Sequence, residues 1–523
     1  MTEGRNCHKE ARSAGTAKKE TLINYSQKGN SYQLFQKASK SKIRFLSLLC
    51  QLLIVFLIFN SFSCAVNPVT QKRELMLLSR SDELAMGQQT DAEVISTYGL
   101  YPDTALNQYV SGVGKKLASV SHQPDLEFHF QVLDSPVVNA FAVPGGYVYL
   151  TRGILAYLND EAELAGVMGH EIGHVTARHS AQLYSQAQVA QIGLVVGAAV
   201  SKTFRKFAGL AEAGLSVLFL SFSREHERQA DDLGVLYSSK AGYEASHMSN
   251  MFITLQKLNP SSGRDGLPTW LSTHPDPPDR IAAIKKAAAD WQAANPGAKL
   301  AVNRDEYLRH LDGLIFGEDP RQGYVKDSVF YHPQMTFQFP VPANWKVNNT
   351  ASQVQMISAG QDAAIILTLA QGQSPDQAAQ DFVTKNKLNV VSSDSGTING
   401  FLTRRLQFTI QTEEASIAGL AHFIQKDNRI LMFLGYTESA KFNSYAQIFS
   451  STLRGFKLLS DPARINVSPE KIKIIKSPRT DTLANILKSY NYDEARQKEL
   501  AILNALELSD RVPAGSLLKI ISK

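Results

Sequence analysis

Cysteine is scarce in this sequence: Cys7, Cys50 and Cys64 are the only three in 523 residues. Three cysteines exclude a disulfide-stapled scaffold. A long uninterrupted apolar run is also missing. The stretch from Phe45 to Phe59 is broken by Ser47, Cys50 and Gln51, and it is shorter than the roughly 20 residues of a bilayer-spanning helix. Positive charge is thin outside the amino-terminal region. The formal net charge is +6, yet residues 1–64 hold ten Lys and Arg against three Asp and Glu, which leaves −1 for the rest. A nearly neutral body removes the main sequence argument for a nucleic-acid partner. No internal repeat stands out. What remains is a globular composition, 44% hydrophobic and 20% charged, on a chain long enough for about three to four domains.

The charge sits where an export signal would place it. Lys37, Lys40, Lys42 and Arg44 precede the apolar run, and small residues follow it. This order reads as a secretory signal, with residues 1–66 forming a disordered basic segment plus signal or anchor. Ser61-Phe62-Ser63-Cys64 resembles a bacterial lipoprotein box, which makes Cys64 a candidate for lipid attachment. Ser63-Cys64-Ala65 equally fits an ordinary signal peptidase, and an uncleaved anchor reaching Val66 also stays open. All three readings send the body to the bacterial periplasm, and the lipid or the anchor would also hold it at the membrane.

The expected fold class is a multidomain α+β protein. Residues 70–290 read as a mainly helical catalytic domain with a small sheet. Leu106, Tyr109, Val110, Val113, Leu117 and Val120 recur at helical spacing after Asp103, and Asp160 with Glu163 opens a helix over 161–180. Val137–Val143 and Tyr147–Thr151 read as strands joined through Pro144-Gly145-Gly146. Ala190–Val200 and Leu215–Phe222 are apolar and read as buried helix or as a flap that touches lipid or covers a cleft. The Pro- and Gly-rich stretch 258–278 reads as a long loop, and 291–327 as a helical linker. Residues 328–460 alternate as strands do at Leu406, Phe408 and Ile410, then give a helix face at Phe442, Tyr445, Phe449 and Leu453. This α+β accessory domain resembles the PsbP-like sandwich through Phe339-Pro340-Val341-Pro342-Ala343-Asn344-Trp345. After a linker at 461–478, residues 479–523 resemble a LysM module through Asp481-Thr482-Leu483 and Val512-Pro513-Ala514-Gly515. That resemblance implies a βααβ tail that binds peptidoglycan, although Thr480 stands where the module usually has Gly.

His170-Glu171-Ile172-Gly173-His174 carries the chemistry. Residues i and i+4 share a helix face, so His170 and His174 can hold one metal ion, and imidazole suits zinc. Glu171, a third of a turn round from His170, can face a water without ligating the metal. A catalytic zinc needs a third protein ligand and one open position. His179 falls one residue short of the metzincin spacing, where position 180 is Ser180, and reads as a polar helix-end residue. Glu227 is the better candidate. Asp231 lies one turn further and can orient an imidazole. These residues, with Asn139-Ala140-Phe141-Ala142 before them and Ser272-Thr273-His274-Pro275 after, resemble the CAAX-prenyl-protease/HtpX-type zinc peptidase family, in its exported BepA-like bacterial branch. The resemblance covers roughly residues 70–290. It implies one Zn2+ held by His170, His174 and Glu227, Glu171 as general base, and Asp231 in support. Asn139, Ala140 and Phe141 would pair with an extended protein or peptide substrate. His274 would stand near the metal, as an oxyanion donor or as a ligand that holds the enzyme latent. Two other readings stay open: a non-catalytic peptidoglycan-binding envelope protein with a structural zinc, and a peptidase restricted to short peptides.

Overall fold

The computed structural model of the protein describes residues 64–186, 222–258, 270, 274, 279–411 and 415–523. The expected export segment up to residue 63, the apolar stretches at 190–200 and 215–221, and all of the Pro-rich loop except Leu258, Trp270 and His274 lie outside the described residues. The chain divides into two units, residues 1–66 with 72–77 and residues 67–71 with 78–523. In the first, β1 (Cys64–Val66) pairs antiparallel with β2 (Arg73–Leu75). No described helix is long and apolar enough to cross a membrane.

The second unit opens with helices α1 (Arg80–Tyr98) and α2 (Thr104–Ser119). Asp103 caps α2 by accepting from the Leu106 N–H at 3.0 Å, a contact of the kind that contributes about 1 kcal/mol. Leu106, Val110, Val113 and Leu117 form its buried stripe. Strands β3 (His129–Leu133), β4 (Ala140–Val143) and β5 (Tyr147–Thr151) make a sheet of order β3-β5-β4, so β4 is an edge. The strand expected from Val137 begins instead at Ala140. The Thr151 hydroxyl hydrogen-bonds to the Val137 and Asn139 carbonyls, and the Asn139 carbonyl also accepts from the Thr151 backbone N–H.

Helices α3 (Arg152–Tyr157), α4 (Glu161–Thr176), α5 (Arg224–Lys240), α6 (Met248–Lys257) and α7 (Arg280–Ala294) build the rest of this half. α4 is central, and all of it except Val175 is buried. It runs close to α5 because small residues face each other. A Cβ at Gly169 would stand only 3.0 Å from the Gly234 carbonyl oxygen. α4 ends at Thr176, four residues before its expected end at 180. Arg178 adopts φ +59°, and its guanidinium is held by Glu83 (2.8 Å) and the Leu78 carbonyl (3.0 Å); a new helical stretch starts at His179. Helix α8 (Arg304–His310) and the residues after it, read as linker, bury Tyr307, Leu308, Leu311 and Leu314 in this same core.

Residues 324–458 form two further sheets. One is four-stranded: β6 (Tyr324–Lys326), β7 (Val329–His332), β8 (Phe337–Pro340) and β16 (Lys457–Leu458), in the order β16-β8-β7-β6. The other has seven antiparallel strands: β9 (Lys346–Asn349), β10 (Gln353–Ile357), β11 (Ala363–Ala370), β12 (Asn389–Ile398), β13 (Phe401–Gln411), β14 (Ser416–Lys426) and β15 (Arg429–Glu438), in the order β12-β13-β14-β15-β11-β10-β9. Helices α9 (Pro375–Lys385) and α10 (Phe442–Arg454) pack on it. A turn at Lys426–Arg429 joins β14 to β15, with Asp427 at φ +55°.

The tail comprises β17 (Lys471–Lys476), β18 (Asp481–Thr482), α11 (Leu483–Ser489), α12 (Glu494–Leu503), β19 (Arg511–Val512) and β20 (Leu517–Ser522). β17 pairs with β20, and β18 with β19. Its Leu483, Ile486, Leu500 and Leu518 belong to the same buried cluster as the helices α2 to α7.

Candidate metal centre

α4 and α5 bring the motif residues together. His170, His174, Glu227 and His274 each offer one ligand atom, and these four atoms lie within 4.8 Å of one another. All four side chains are buried. His170 Nε2 and His174 Nε2 are 3.0 Å apart, and each is 3.6 Å from a Glu227 carboxylate oxygen. His274 Nδ1 stands 2.9 Å from Glu227 Oε1 and 3.3 Å from His170 Nε2.

The surrounding hydrogen bonds assign the imidazole protons. His170 Nδ1–H donates to Asp231 Oδ1 at 3.0 Å, which leaves Nε2 a bare lone pair. His179 Nε2–H donates to Gln229 Oε1 at 2.9 Å, so its Nδ1 accepts from His174 Nδ1–H, also at 2.9 Å. His174 Nε2 is then bare as well. Two lone pairs meet at 3.0 Å beside a carboxylate. Such a set is self-repelling on its own and suits a cation between its members. Two imidazoles and a carboxylate are zinc ligands.

The electrostatics point the same way. Burial would raise the Glu227 carboxyl, but His274, His170 and Arg280 outweigh it and pull its pKa down to about 2. Burial, with His170 and His179 nearby, drives His174 well below the ordinary histidine range, so it stays neutral. Burial also opposes protonation of His274, yet the Glu227 and Glu171 carboxylates reverse that and hold its pKa above the ordinary value.

Glu171 is buried next to the cluster and is not one of its four members. Its Oε1 is 3.4 Å from Trp270 Nε1 and 3.8 Å from His274 Nε2. Trp270 stacks on His274 with ring centroids 4.7 Å apart, and its backbone N–H reaches the Val138 carbonyl at 3.4 Å. Asn139, Ala140 and Phe141 lie at the edge of the small sheet, with β4 packed against α4. Cys64 lies in β1.

Three supporting residues were not assigned to the site from the sequence. Arg280 clamps Asp231 through Nε (2.6 Å) and a terminal nitrogen (2.8 Å), and reaches Glu227 Oε2 at 3.1 Å. His179, set aside as a ligand, fixes the tautomer of His174, and Gln229 fixes that of His179. Histidine spacing marked His179 for notice, but its role depends on Gln229, fifty residues away and invisible to a spacing argument. Asp231→Ala should weaken zinc binding about 10- to 100-fold, because it frees the His170 ring and strands Arg280. Competition with a chromophoric chelator measures this, and unchanged affinity would contradict the orienting role.

A buried His-His-Glu centre on two packed helices, with a further glutamate beside it, has the donor set of a metallopeptidase-type site. Comparison with known proteins agrees: residues 104–288 match the model of peptidase family M48. The chain is 33% identical over 214 residues to the putative beta-barrel assembly-enhancing protease of Vibrio cholerae, covering 39% of this chain and 43% of that protein. It is 32% identical over 226 residues to mitochondrial metalloendopeptidase OMA1 of Schizosaccharomyces pombe, covering 42% of this chain and 65% of that one. The chain thus spans less than half of the first relative and under two thirds of the second. The cyanobacterial PsbP of Synechocystis aligns over 26% of this chain and 96% of its own, at 13% identity and a TM-score of 0.22.

Proposed function

We propose that the chain is a zinc-dependent endopeptidase that hydrolyses peptide bonds in proteins of the bacterial cell envelope, as part of protein quality control. One observation carries the reading: the bare Nε2 atoms of His170 and His174 converge with ionised Glu227, while Glu171 stands beside them outside the ligand set. A structural zinc has no use for that extra carboxylate. The metal would be held by His170, His174 and Glu227, and would supply Lewis acidity that polarises the scissile carbonyl and acidifies the attacking water. Glu171 takes the water's proton as attack proceeds and delivers it to the leaving amine. Asp231 and His179 keep each imidazole in the ligating tautomer, and Arg280 holds both carboxylates in place. The edge strand β4 and Asn139 before it, at Asn139, Ala140 and Phe141, would align an extended substrate by backbone pairing.

His274 would add a fourth donor to the same cluster. Four protein ligands close a zinc site, whereas catalysis needs an open position. In this reading His274 holds the enzyme latent. If the closed form comprises about nine-tenths of the molecules, His274→Ala should raise casein hydrolysis about tenfold. A fall would favour oxyanion donation by His274, and no change would remove both roles.

The wider reading follows the resemblance to the HtpX-type family and its BepA-like branch: export to the periplasm, with a signal or a lipid on Cys64 at the membrane. The 328–460 domain is a PsbP-like sandwich in this reading, and the LysM-like tail at 479–523 binds peptidoglycan. Retention of the full chain on insoluble peptidoglycan tests the tail, and its absence would remove the glycan claim. Casein hydrolysis by the purified chain, compared with Glu171→Gln, tests the peptidase. Equal activity in both would leave the non-catalytic reading. Cleavage of short peptides alone would favour the restricted peptidase.

A further inference from the structure

Lys519 is an anomaly for a module read as an appendage. It lies in β20, is fully buried, and sits between the apolar residues Leu518 and Ile520. Removing an ammonium group from water carries a penalty of several kcal/mol unless polar partners replace the solvent. The partners belong to the catalytic half. Lys519 Nζ donates to the Ala156 carbonyl at 2.7 Å and to the Leu158 carbonyl at 2.9 Å. These are the end of α3, where carbonyls lack helical partners and a cation is favoured.

The position is fixed from both sides of the strand. Lys519 is in register with Ile474 of β17. On its other side, Asn504 Oδ1 accepts from the Lys519 N–H and Asn504 Nδ2 donates to the Lys519 carbonyl, both at 2.8 Å. Close by, Arg304 donates to the Leu517 carbonyl at 3.1 Å. The ammonium is therefore held at the corner between α3 and α4 by the fold of the tail.

That corner starts the active-site helix. Asp160 accepts from the Glu163 N–H at 2.8 Å, and Glu163 Oε2 accepts from the Asn159 N–H at 2.8 Å, a reciprocal cap. Asp160 also meets His247 Nδ1 at 2.7 Å. Glu163 is fully enclosed. Burial raises its carboxyl, Asp160 adds to that, and Lys519 opposes both. Burial in turn lowers the Lys519 ammonium, against the pull of Glu163 and Asp160. Lys519 thus binds the last carbonyls of α3, immediately before the cap that starts α4. From Glu163 to His170 is seven residues of continuous helix, about 10.5 Å, so the cap and the metal ligands share one element.

We propose that Lys519 is a positioning residue for the metal centre, which makes the carboxyl-terminal module a working part of the catalytic scaffold. It touches neither substrate nor metal and acts through the first turn of α4. The proposal deepens the peptidase reading and rests on it for its consequence in catalysis.

Lys519→Met keeps the length and apolar stem of the side chain and removes its donors. In the full-length chain, at a temperature where the variant remains folded, amide exchange of Glu163–Val167 should quicken at least tenfold, with α5 unchanged. The zinc dissociation constant should rise about tenfold, and kcat on casein should fall with KM unchanged. Asn504→Ala, which loosens β20 and leaves the charge, should shift all three in the same direction by less. A lowered melting temperature with α4 exchange, zinc affinity and kcat unchanged would overturn the proposal, because that is the signature of packing alone. If Lys519→Met does not fold, Asn504→Ala decides: unchanged α4 exchange overturns the proposal. A wild type that binds zinc and leaves casein intact defeats the peptidase reading, while the exchange and zinc measurements still report on Lys519.

Discussion

Glu171→Gln should lower casein hydrolysis by about 10²- to 10⁴-fold, the range of a general base removed from its reaction, and leave the zinc content at one per chain. The two halves of this result come from one geometric fact. Glu171 follows His170 on α4, so it projects beside the metal position, while the four clustered donor atoms come from other side chains. The amide of Gln has nearly the same shape as the carboxylate and still accepts from Trp270 Nε1, so packing changes little. What it loses is the capacity to take a proton from water. Loss of activity with loss of zinc would instead mean that Glu171 is a ligand. Retained activity would mean that the chain needs no base at this position.

Glu227→Ala should lower zinc content well below one per chain and abolish activity with it. Two imidazoles remain, but the single negative ligand is gone, and His274 loses its closest partner at 2.9 Å. Arg280 retains Asp231 through two bonds, so the α5–α7 contact has a second anchor. Breaking one member of a buried charge network commonly destabilises by roughly 3–5 kcal/mol, so the melting temperature should fall too. Glu227→Gln separates the effects, because it keeps the volume and removes only the charge. It should bind zinc poorly with a smaller loss of stability. Full zinc occupancy in both variants would remove Glu227 from the ligand set.

The legibility of the site follows the range of the interactions. The i, i+4 spacing of His170 and His174 is a local property, and so is the pairing of Glu227 with Asp231. The structure brings both pairs into one buried cluster. Asp103, Asp160 and Glu163 were legible as caps because capping is decided within four residues. The break at Arg178 was not, because the buried ion pair with Glu83 across 95 residues holds its left-handed conformation. The supporting chain from Gln229 through His179 to His174 was hidden for the same reason. Residues 304–316 and the tail read as separate pieces, since polar breaks around a segment say nothing of what its apolar face will meet. Lys519 looked like one more lysine in a small module, and only its contacts with Ala156 and Leu158 give it a task.

The central claim is that one zinc ion, held by this centre, makes the chain an endopeptidase. Stripping the purified full-length chain with a chelator and titrating zinc back, with casein hydrolysis followed at each step, tests it most directly. The account predicts that activity vanishes with the metal and returns in proportion to added zinc up to one equivalent. Hydrolysis that survives complete removal, or a fully zinc-loaded chain that leaves casein intact, would contradict it.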